Sequence, residues 1–149
     1  KNYILLYMFG NSLTMKTFAE NLARQTGCVI VYISYSVAKR INATYEKCVG
    51  PAEFLGLFKN ARYVVTNSFH GTCFSLNFNK DFFLEMLPES QGVNSRLENI
   101  LDLFALRPRQ IINGENANIN KPIDYDEVNK KMLVERQRSL DFLKKIISK

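Results

Sequence analysis

The sequence predicts an α/β fold, a Rossmann-like three-layer α/β/α domain built on a mainly parallel sheet. Two observations lead to this prediction. Short apolar runs, such as 28–34, have the near-continuous hydrophobicity of strands that are covered on both faces. Amphipathic helical segments alternate with these runs, which is typical of parallel strands joined by right-handed crossovers. The 149 residues suit one domain, so we expect a single domain over residues 1–149.

Each predicted element has its own local signal. The predicted strands cover residues 3–9, 28–34, 62–66 and 82–84, with a small edge strand at 110–112. The predicted helices run from Ser12 or Thr14 to about Thr26, over 51–60, 71–78 and 94–104, and from Asp124 or Asp126 to about Ile147. Gly27 suits the C-terminal cap of the first helix, and Pro51 suits the first residue of the second. The polar stretch 35–49 is predicted to be a loop.

The composition limits the classes of function. The net charge is +6, which fits nucleic acid, an anionic membrane surface or phosphorylated small molecules as partners. Much of the excess lies in the last predicted helix, where it forms either a solvated face or a groove for a phosphate or an acidic lipid-linked acceptor. The sequence shows no nucleic-acid-binding module, no dinucleotide or P-loop fingerprint and no apolar run of 18 residues. We therefore expect no nucleic-acid partner.

The cysteines and the histidine argue against a metal site. Cys28, Cys48 and Cys73 are widely spaced, and His70 is the only histidine. Structural zinc sites combine closely spaced cysteines and histidines, so we expect no metal. Scattered cysteines in odd number fit a reducing compartment, and we expect a cytoplasmic protein with at most peripheral contact at the inner face of the membrane. The chain begins at Lys1 and leads directly into a strand, which predicts an internal fragment of a longer protein.

The strongest candidate for chemistry is the segment 66–71, Thr-Asn-Ser-Phe-His-Gly, which follows a predicted strand. Ligands of parallel α/β sheets bind beyond the carboxyl ends of the strands. Gly71 is predicted to open a helix whose unpaired N–H groups favour an anion, and the imidazole of His70 can give or take a proton near neutral pH. The alternative is structural, with His70 as a hydrogen-bonded loop residue and Asn67 and Ser68 as turn formers or helix caps.

Several segments taken together resemble the C-terminal part of the polysaccharide pyruvyl transferase family. The strongest are Gly50–Leu55 and Asn60–Ser75, with Asp81–Leu84 as the strand that follows. Asn94–Leu97 and Ile123–Tyr125, each leading into a helix, resemble later blocks of the family. The resemblance implies the C-terminal lobe of a GT-B-like two-domain protein whose N-terminal lobe is missing from this chain.

The resemblance also implies a reaction. A pyruvyl group moves from phosphoenolpyruvate to sugar hydroxyls as a ketal, in the biosynthesis of bacterial capsular, exopolysaccharide or cell-wall polysaccharide. Phosphoenolpyruvate is then the donor substrate and no cofactor is expected; the other partners are a saccharide acceptor, which can be lipid-linked, and the missing lobe. The alternatives are a GT-B glycosyltransferase lobe that binds a nucleotide-sugar and a non-catalytic binding lobe. We expect little or no turnover from this chain alone.

Residues that match the family's motifs receive roles by the same resemblance. His70 is the expected catalytic acid or base. The expected substrate-binding residues are Asn67, Ser68, Gly71, Arg96, Gly50 and Glu53. The planar guanidinium of Arg96 suits a carboxylate or phosphate, although the residue also fits an ordinary surface position. Glu53 either caps its own helix or touches the acceptor, and a further basic group is expected from Lys39, Arg40 or the missing lobe.

Overall fold

The strands form one parallel sheet. The computed structural model describes residues 2–33, 41–88, 94–112 and 119–148, so Ser34, Lys39 and Arg40 lie outside the described residues. Within these ranges five strands pair in the order β3-β2-β1-β4-β5, all parallel. The strands are β1 (Tyr3–Tyr7), β2 (Val29–Ile33), β3 (Thr44–Glu46), β4 (Tyr63–Thr66) and β5 (Asp81–Leu84). The sheet confirms the predicted Rossmann-like class.

Helices cover both faces of this sheet. They are α1 (Leu13–Thr26), α2 (Pro51–Asn60), α3 (Phe69–Asn77), α4 (Ser95–Leu103) and α5 (Tyr125–Ile147), with a short 3-10 turn at Arg107–Arg109. The apolar face of α1 packs with Ile4, Leu6 and Ile30 in one core cluster. Residues of α2, α3, α4 and α5 pack against Leu5 and Val64 in the other. Alternate residues of β1 therefore enter opposite cores, and the fold has three layers.

Local caps set the bounds of the long helices. The hydroxyl of Ser12 accepts a hydrogen bond from the Met15 N–H at 3.0 Å, which confirms Ser12 over Thr14 as the cap of α1. Gly27 ends this helix in the left-handed region with φ of 68°, as predicted. The Asp124 carboxylate accepts from two N–H groups at the start of α5, which confirms Asp124 over Asp126.

Two predicted segments differ from the structure. Strand β3 lies inside the predicted loop 35–49 and pairs with β2. It was missed because it has three residues at the sheet edge and only Tyr45, which packs on Tyr32 with ring centroids 5.4 Å apart, is apolar. The predicted edge strand at 110–112 is, among the described residues, a bridge from Gln110 to Leu84, beside which the Ile111 N–H donates to the Leu84 carbonyl at 2.7 Å.

Helix α5 packs on the domain only through its first half. Val128 is buried and Met132 is half-buried, and Arg136 donates to the Asn77 Oδ1 at 2.6 Å. Beyond this point the apolar side chains are exposed: Leu140, Phe142, Leu143, Ile146 and Ile147. None of the helices in the described ranges combines the length and the apolar character that crossing a bilayer requires.

Candidate functional site

A crevice lies at the carboxyl edge of the sheet, where β1, β4 and β5 end, and it includes the point at which β1 and β4 diverge. Strands β1 and β4 are neighbours, but the chain leaves β1 toward α1 on one face and leaves β4 toward α3 on the other. Such a divergence is where ligands bind in open parallel sheets. The crevice has a volume of about 390 Å³ and is lined by residues 9–12, Asn67 and residues 85–88. The predicted segment 66–71 therefore borders a real cavity.

Asn67 ties the two sides of the crevice together. Its Oδ1 accepts a hydrogen bond from the Phe9 N–H at 2.8 Å, and its Nδ2 donates to the Phe9 carbonyl at 3.0 Å. The residue is 2% exposed. Because both ends of the amide bind one backbone unit, Asn67 fixes the connection after β1 against the turn after β4. A direct role of Asn67 in substrate binding stays a prediction.

Ser68 is the cap of α3, and this corrects the predicted start of that helix. The helix begins at Phe69, two residues before Gly71. The Ser68 Oγ accepts from the Gly71 N–H at 3.3 Å, and its own N–H donates to Thr66 Oγ1 at 3.1 Å. A serine that can cap moves the helix start toward itself, which the glycine signal alone did not reveal. Ser68 is buried, and its predicted contact with substrate is untested.

His70 is exposed on the first turn of α3. Its ring stands edge-on to the Phe69 ring, with centroids 5.8 Å apart and an interplanar angle of 82°. Within the described part of the chain, the N–H groups of Phe69 and His70 have no acceptor. The imidazole therefore stands beside a helix start that favours an anion.

Arg96 also contacts the Phe69 ring. Its guanidinium carbon is 4.6 Å from the centroid of the Phe69 ring, a cation–π distance. The residue is exposed in the first turn of α4. Asn94, just before this helix, accepts from the Leu87 N–H at 3.1 Å and donates to the Leu87 carbonyl at 2.7 Å. The Phe69 ring thus contacts both the His70 imidazole and the Arg96 guanidinium. Leu87, which lines the crevice, connects it to the start of α4.

Gly71 faces the interior. A Cβ at this position would lie 2.5 Å from Thr66 Oγ1 and 3.2 Å from Tyr7 Cδ1. Glycine is therefore required for the first turn of α3 to pack on β4 and β1. The predicted role of Gly71 in lining the pocket is untested, but this packing explains the glycine.

Gly50 and Glu53 lie at the start of α2, farther along the same edge. A Cβ on Gly50 would be 2.6 Å from the Glu53 Oε2, so this carboxylate folds back over the start of its own helix. That position suits the helix dipole. No hydrogen bond or ion pair among the described residues joins either residue to Asn67, His70 or Arg96. Contact of Gly50 or Glu53 with a substrate stays a prediction.

Three residues at this edge of the sheet were not proposed as site residues by the sequence analysis. Phe9 is 54% exposed at the crevice, and Glu85 lines it from the far side. Lys16 is only 2% exposed; its Nζ donates to Asn11 Oδ1 at 2.5 Å and lies 5.9 Å from the centroid of the Tyr32 ring. The burial of Lys16 could not be predicted, because the residue lies beside the apolar stripe of α1, where a lysine can be either buried or exposed. The sequence did offer a signal for Phe9, since an aromatic residue that lies between a strand and Gly10 is placed at the carboxyl edge of the sheet.

The cysteine near the site is a poor candidate for a nucleophile. Burial raises the pKa of the Cys73 thiol, and the charge of Arg96 only partly opposes this. A neutral thiol is a poor nucleophile. In residues 2–33, 41–88, 94–112 and 119–148, no group of three or more histidine, cysteine, aspartate or glutamate side chains could hold a metal ion.

The fold and the crevice define a Rossmann-like α/β domain with a crevice at the carboxyl ends of β1, β4 and β5. A family model described as polysaccharide pyruvyl transferase matches residues 2–84, more than half of the chain. The chain belongs to the polysaccharide pyruvyl transferase family, and this confirms the resemblance found in the sequence. The match includes the segment 66–71 and ends before Arg96.

Other comparisons are more distant. The chain is similar to a solved structure of a protein described as a UDP-N-acetylglucosamine 2-epimerase from Listeria monocytogenes, with 11% sequence identity and a TM-score of 0.43. The alignment covers 89% of this chain and 43% of that chain, so this chain spans less than half the length of that protein. No curated protein sequence matches the chain.

Proposed function

We propose that this chain carries the donor-handling half of a polysaccharide pyruvyl transferase, with phosphoenolpyruvate as the donor. The observation that carries the proposal is the arrangement around Phe69, whose ring contacts both His70 and Arg96 in the turn that follows Asn67. A proton-transfer group and a guanidinium thus lie at the starts of two helices. The family membership gives the reaction class, and this arrangement offers the groups that the reaction needs.

The reaction sets clear demands on its site. The methylene carbon of phosphoenolpyruvate gains a proton and becomes a methyl group, while two sugar oxygens bond to the carbon that carried the phosphate. That carbon loses its bond to the phosphate oxygen, and inorganic phosphate leaves. Of the two hydroxyl protons of the sugar, one balances the new methyl group and the other leaves with phosphate. A site for this chemistry needs a positioned acid or base and donors for two anionic groups.

His70, Arg96 and the start of α3 can meet these demands. The imidazole of His70 would take the proton of the attacking hydroxyl or deliver one to the methylene carbon. The guanidinium of Arg96 would bind the carboxylate or phosphate of the donor through paired hydrogen bonds. The N–H groups at the start of α3 add a site for negative charge. Asn67, Ser68 and Gly71 hold this turn in place.

The biological setting belongs to the same proposal. We place the reaction in the synthesis of bacterial capsular, exopolysaccharide or cell-wall polysaccharide, in the cytoplasm and at most peripherally at the membrane. The acceptor is a saccharide that can be lipid-linked. A second, N-terminal lobe of a GT-B-like protein would close the site from the other side, and without it we expect little turnover.

Replacement of His70 tests the proposal. In the protein as produced from its gene, His70→Ala should lower phosphate release from phosphoenolpyruvate in the presence of acceptor by about 10²–10⁴-fold, the usual contribution of a positioned proton-transfer group. His70→Gln keeps hydrogen-bonding capacity and should be equally impaired. Asn77→Ala, at the other end of α3, is the matched control. Unchanged turnover in both His70 variants would remove the histidine from the mechanism.

Calorimetry distinguishes the two donors. The wild-type protein should bind phosphoenolpyruvate, and Arg96→Leu should weaken this binding. Arg62→Leu is a matched control, because Arg62 is also exposed with its guanidinium carbon 5.4 Å from an aromatic centroid, that of Tyr63, but lies at the amino edge of the sheet. Binding of nucleotide-sugars with none of phosphoenolpyruvate would favour the glycosyltransferase alternative and defeat the proposal.

A further inference from the structure

We propose that the crevice at the carboxyl ends of β1, β4 and β5 is the subsite for the acceptor saccharide, with the Phe9 ring as a stacking surface and the Glu85 carboxylate as an acceptor for sugar hydroxyls. This inference rests on the proposed function and adds the place of the second substrate. It assigns Phe9 and Glu85 to specificity, and it leaves the donor at the rim formed by His70 and Arg96.

The size and position of the crevice suit a sugar ring. Its volume of about 390 Å³ falls within the range of small-molecule pockets, roughly 300–1,000 Å³. It lies between the chain leaving β1 and the chain leaving β5, with Asn67 at the end of β4 between them, and so beyond the carboxyl ends of the strands, where ligands bind in this type of sheet. The cavity therefore has room for one or two rings and is formed by the folded chain itself.

The charge of the lining favours a neutral polyol over the donor. Among the described lining residues, Glu85 carries the one formal charge, and the other polar side chains are those of Asn11, Ser12 and Asn67. Phosphoenolpyruvate carries a phosphate and a carboxylate, which the Glu85 carboxylate would repel. The ammonium of Lys16 donates to Asn11 Oδ1 behind this lining, but Lys16 is 2% exposed and does not itself line the crevice. Sugar hydroxyls are donors that a carboxylate accepts well, and amide and hydroxyl side chains can serve the remaining groups.

Phe9 has the features of a stacking platform. It is 54% exposed, although it follows a buried strand. Its ring packs against Tyr7 with centroids 5.8 Å apart, and its backbone is clasped by Asn67 on both the N–H and the carbonyl. An aromatic ring held rigid while one side remains open can cover the C–H face of a pyranose at low entropic cost.

The crevice is joined to the donor rim on two sides. Asn67, which lines the crevice, precedes His70 by three residues and enters the same turn. Leu87, which also lines it, is hydrogen-bonded in both directions to Asn94, two residues before Arg96. A sugar in the crevice would therefore lie next to the turn that carries His70 and the helix that carries Arg96, and ketal formation requires such closeness of acceptor and donor.

Saturation-transfer NMR on the full 149-residue chain tests this assignment. The probes are methyl β-galactopyranoside, methyl β-glucopyranoside and the methyl glycoside of N-acetylmannosamine. At least one should receive saturation transfer at its ring protons, and phosphoenolpyruvate should not displace it. Phe9→Leu should reduce the transfer about threefold to tenfold, since it keeps apolar bulk but removes the ring face, and Glu85→Gln should reduce it less.

Leu13→Ala is the matched control, because Leu13 is exposed near Phe9 but does not line the crevice. Its signal should equal that of the wild type, and thermal melting should show that all variants are folded. Absence of transfer to all three probes, equal transfer in Phe9→Leu, or displacement by phosphoenolpyruvate would each overturn the assignment. These results do not depend on the phosphate-release assay of the His70 variants. The acceptor subsite can therefore be disproved without disproving the proposed function, and the reverse is also true.

Discussion

Two arginines of this domain lie over phenylalanine rings and have opposite surroundings. Arg96 is exposed at the carboxyl edge, 4.6 Å from the Phe69 centroid. Arg109 is 4% exposed, with its guanidinium carbon 5.4 Å from the Phe83 centroid. The same side-chain pair therefore occurs once at the surface beside a crevice and once inside the fold.

The surroundings of Arg109 show a structural use of charge. Its Nη2 lies 3.2 Å from Asp81 Oδ1 and donates to the Lys121 carbonyl, and the same Asp81 oxygen accepts from the Ile123 N–H at 2.8 Å. Together these bonds fasten the segment that leads into α5 to the start of β5. Arg96 makes no ion pair among the described residues. Arg109 is thus bonded into the fold, whereas Arg96 is exposed at the start of α4.

The largest effect on stability is expected from replacement of the buried arginine, Arg109. Arg109→Met keeps the length of the side chain but leaves Asp81 without its cation, and should lower the free energy of unfolding by about 2–4 kcal/mol. Denaturant titration measures this change. Arg107→Met removes the exposed pair with Asp102 and is the control, with no measurable shift expected. Equal shifts in the two variants would contradict the distinction between buried and surface pairs.

A slightly smaller effect is expected from Gly71→Ala. The added Cβ would stand 2.5 Å from Thr66 Oγ1, so the turn or the strand must shift, at a cost of about 1–3 kcal/mol. Gly56→Ala in α2 is the matched control, because a Cβ there meets nothing within 4 Å, and it should stabilise the protein by about 0.5–1 kcal/mol. Stabilisation by Gly71→Ala in thermal melting would show that the close contact is unimportant.

Replacement of Phe69 tests the exposed pair, Arg96 and Phe69. Phe69→Leu removes the ring that contacts Arg96 and His70 and should raise the KM for phosphoenolpyruvate about threefold to fivefold with little loss of stability. Phe69→Tyr keeps the ring face and should restore the wild-type value. In an Arg96→Leu background, Phe69→Leu should have almost no further effect on KM. Additive effects in this double-mutant cycle would exclude a positioning role for the ring.

The smallest expected effect depends on pH. Burial raises the pKa of Tyr125 above its ordinary value of 10.0, and its hydroxyl donates to the Lys80 carbonyl at 2.5 Å. At neutral pH, Tyr125→Phe should be less stable by about 1 kcal/mol. Above about pH 10 the unfolded tyrosine ionises while the folded one keeps its proton, so the wild type loses stability and the gap narrows. A gap that stays constant up to pH 11 in urea titrations would contradict the raised pKa.

The sequence by itself determined the features that depend on neighbouring residues. The alternation of strands and helices predicted the parallel α/β class. Gly27 predicted the end of α1, and the starts of α1 and α5 were each predicted to within two candidates, Ser12 or Thr14 and Asp124 or Asp126, because a cap bonds to residues only a few positions away. The motif around His70 identified the family and the edge of the sheet where chemistry is expected. The site roles themselves stay predictions.

Only the tertiary structure decided the features that join distant segments. The Asn67 amide bonds a backbone unit 58 residues away, Arg96 reaches Phe69 from another helix, and Arg109 pairs with a strand residue far back in the chain. No periodicity encodes such contacts, so the sequence could not show that Asn67 clasps Phe9 or that Arg109 is buried while Arg96 is exposed. The crevice exists because β1, β4 and β5 become neighbours and the connections after β1 and β4 diverge, which is a property of strand order and not of any one segment.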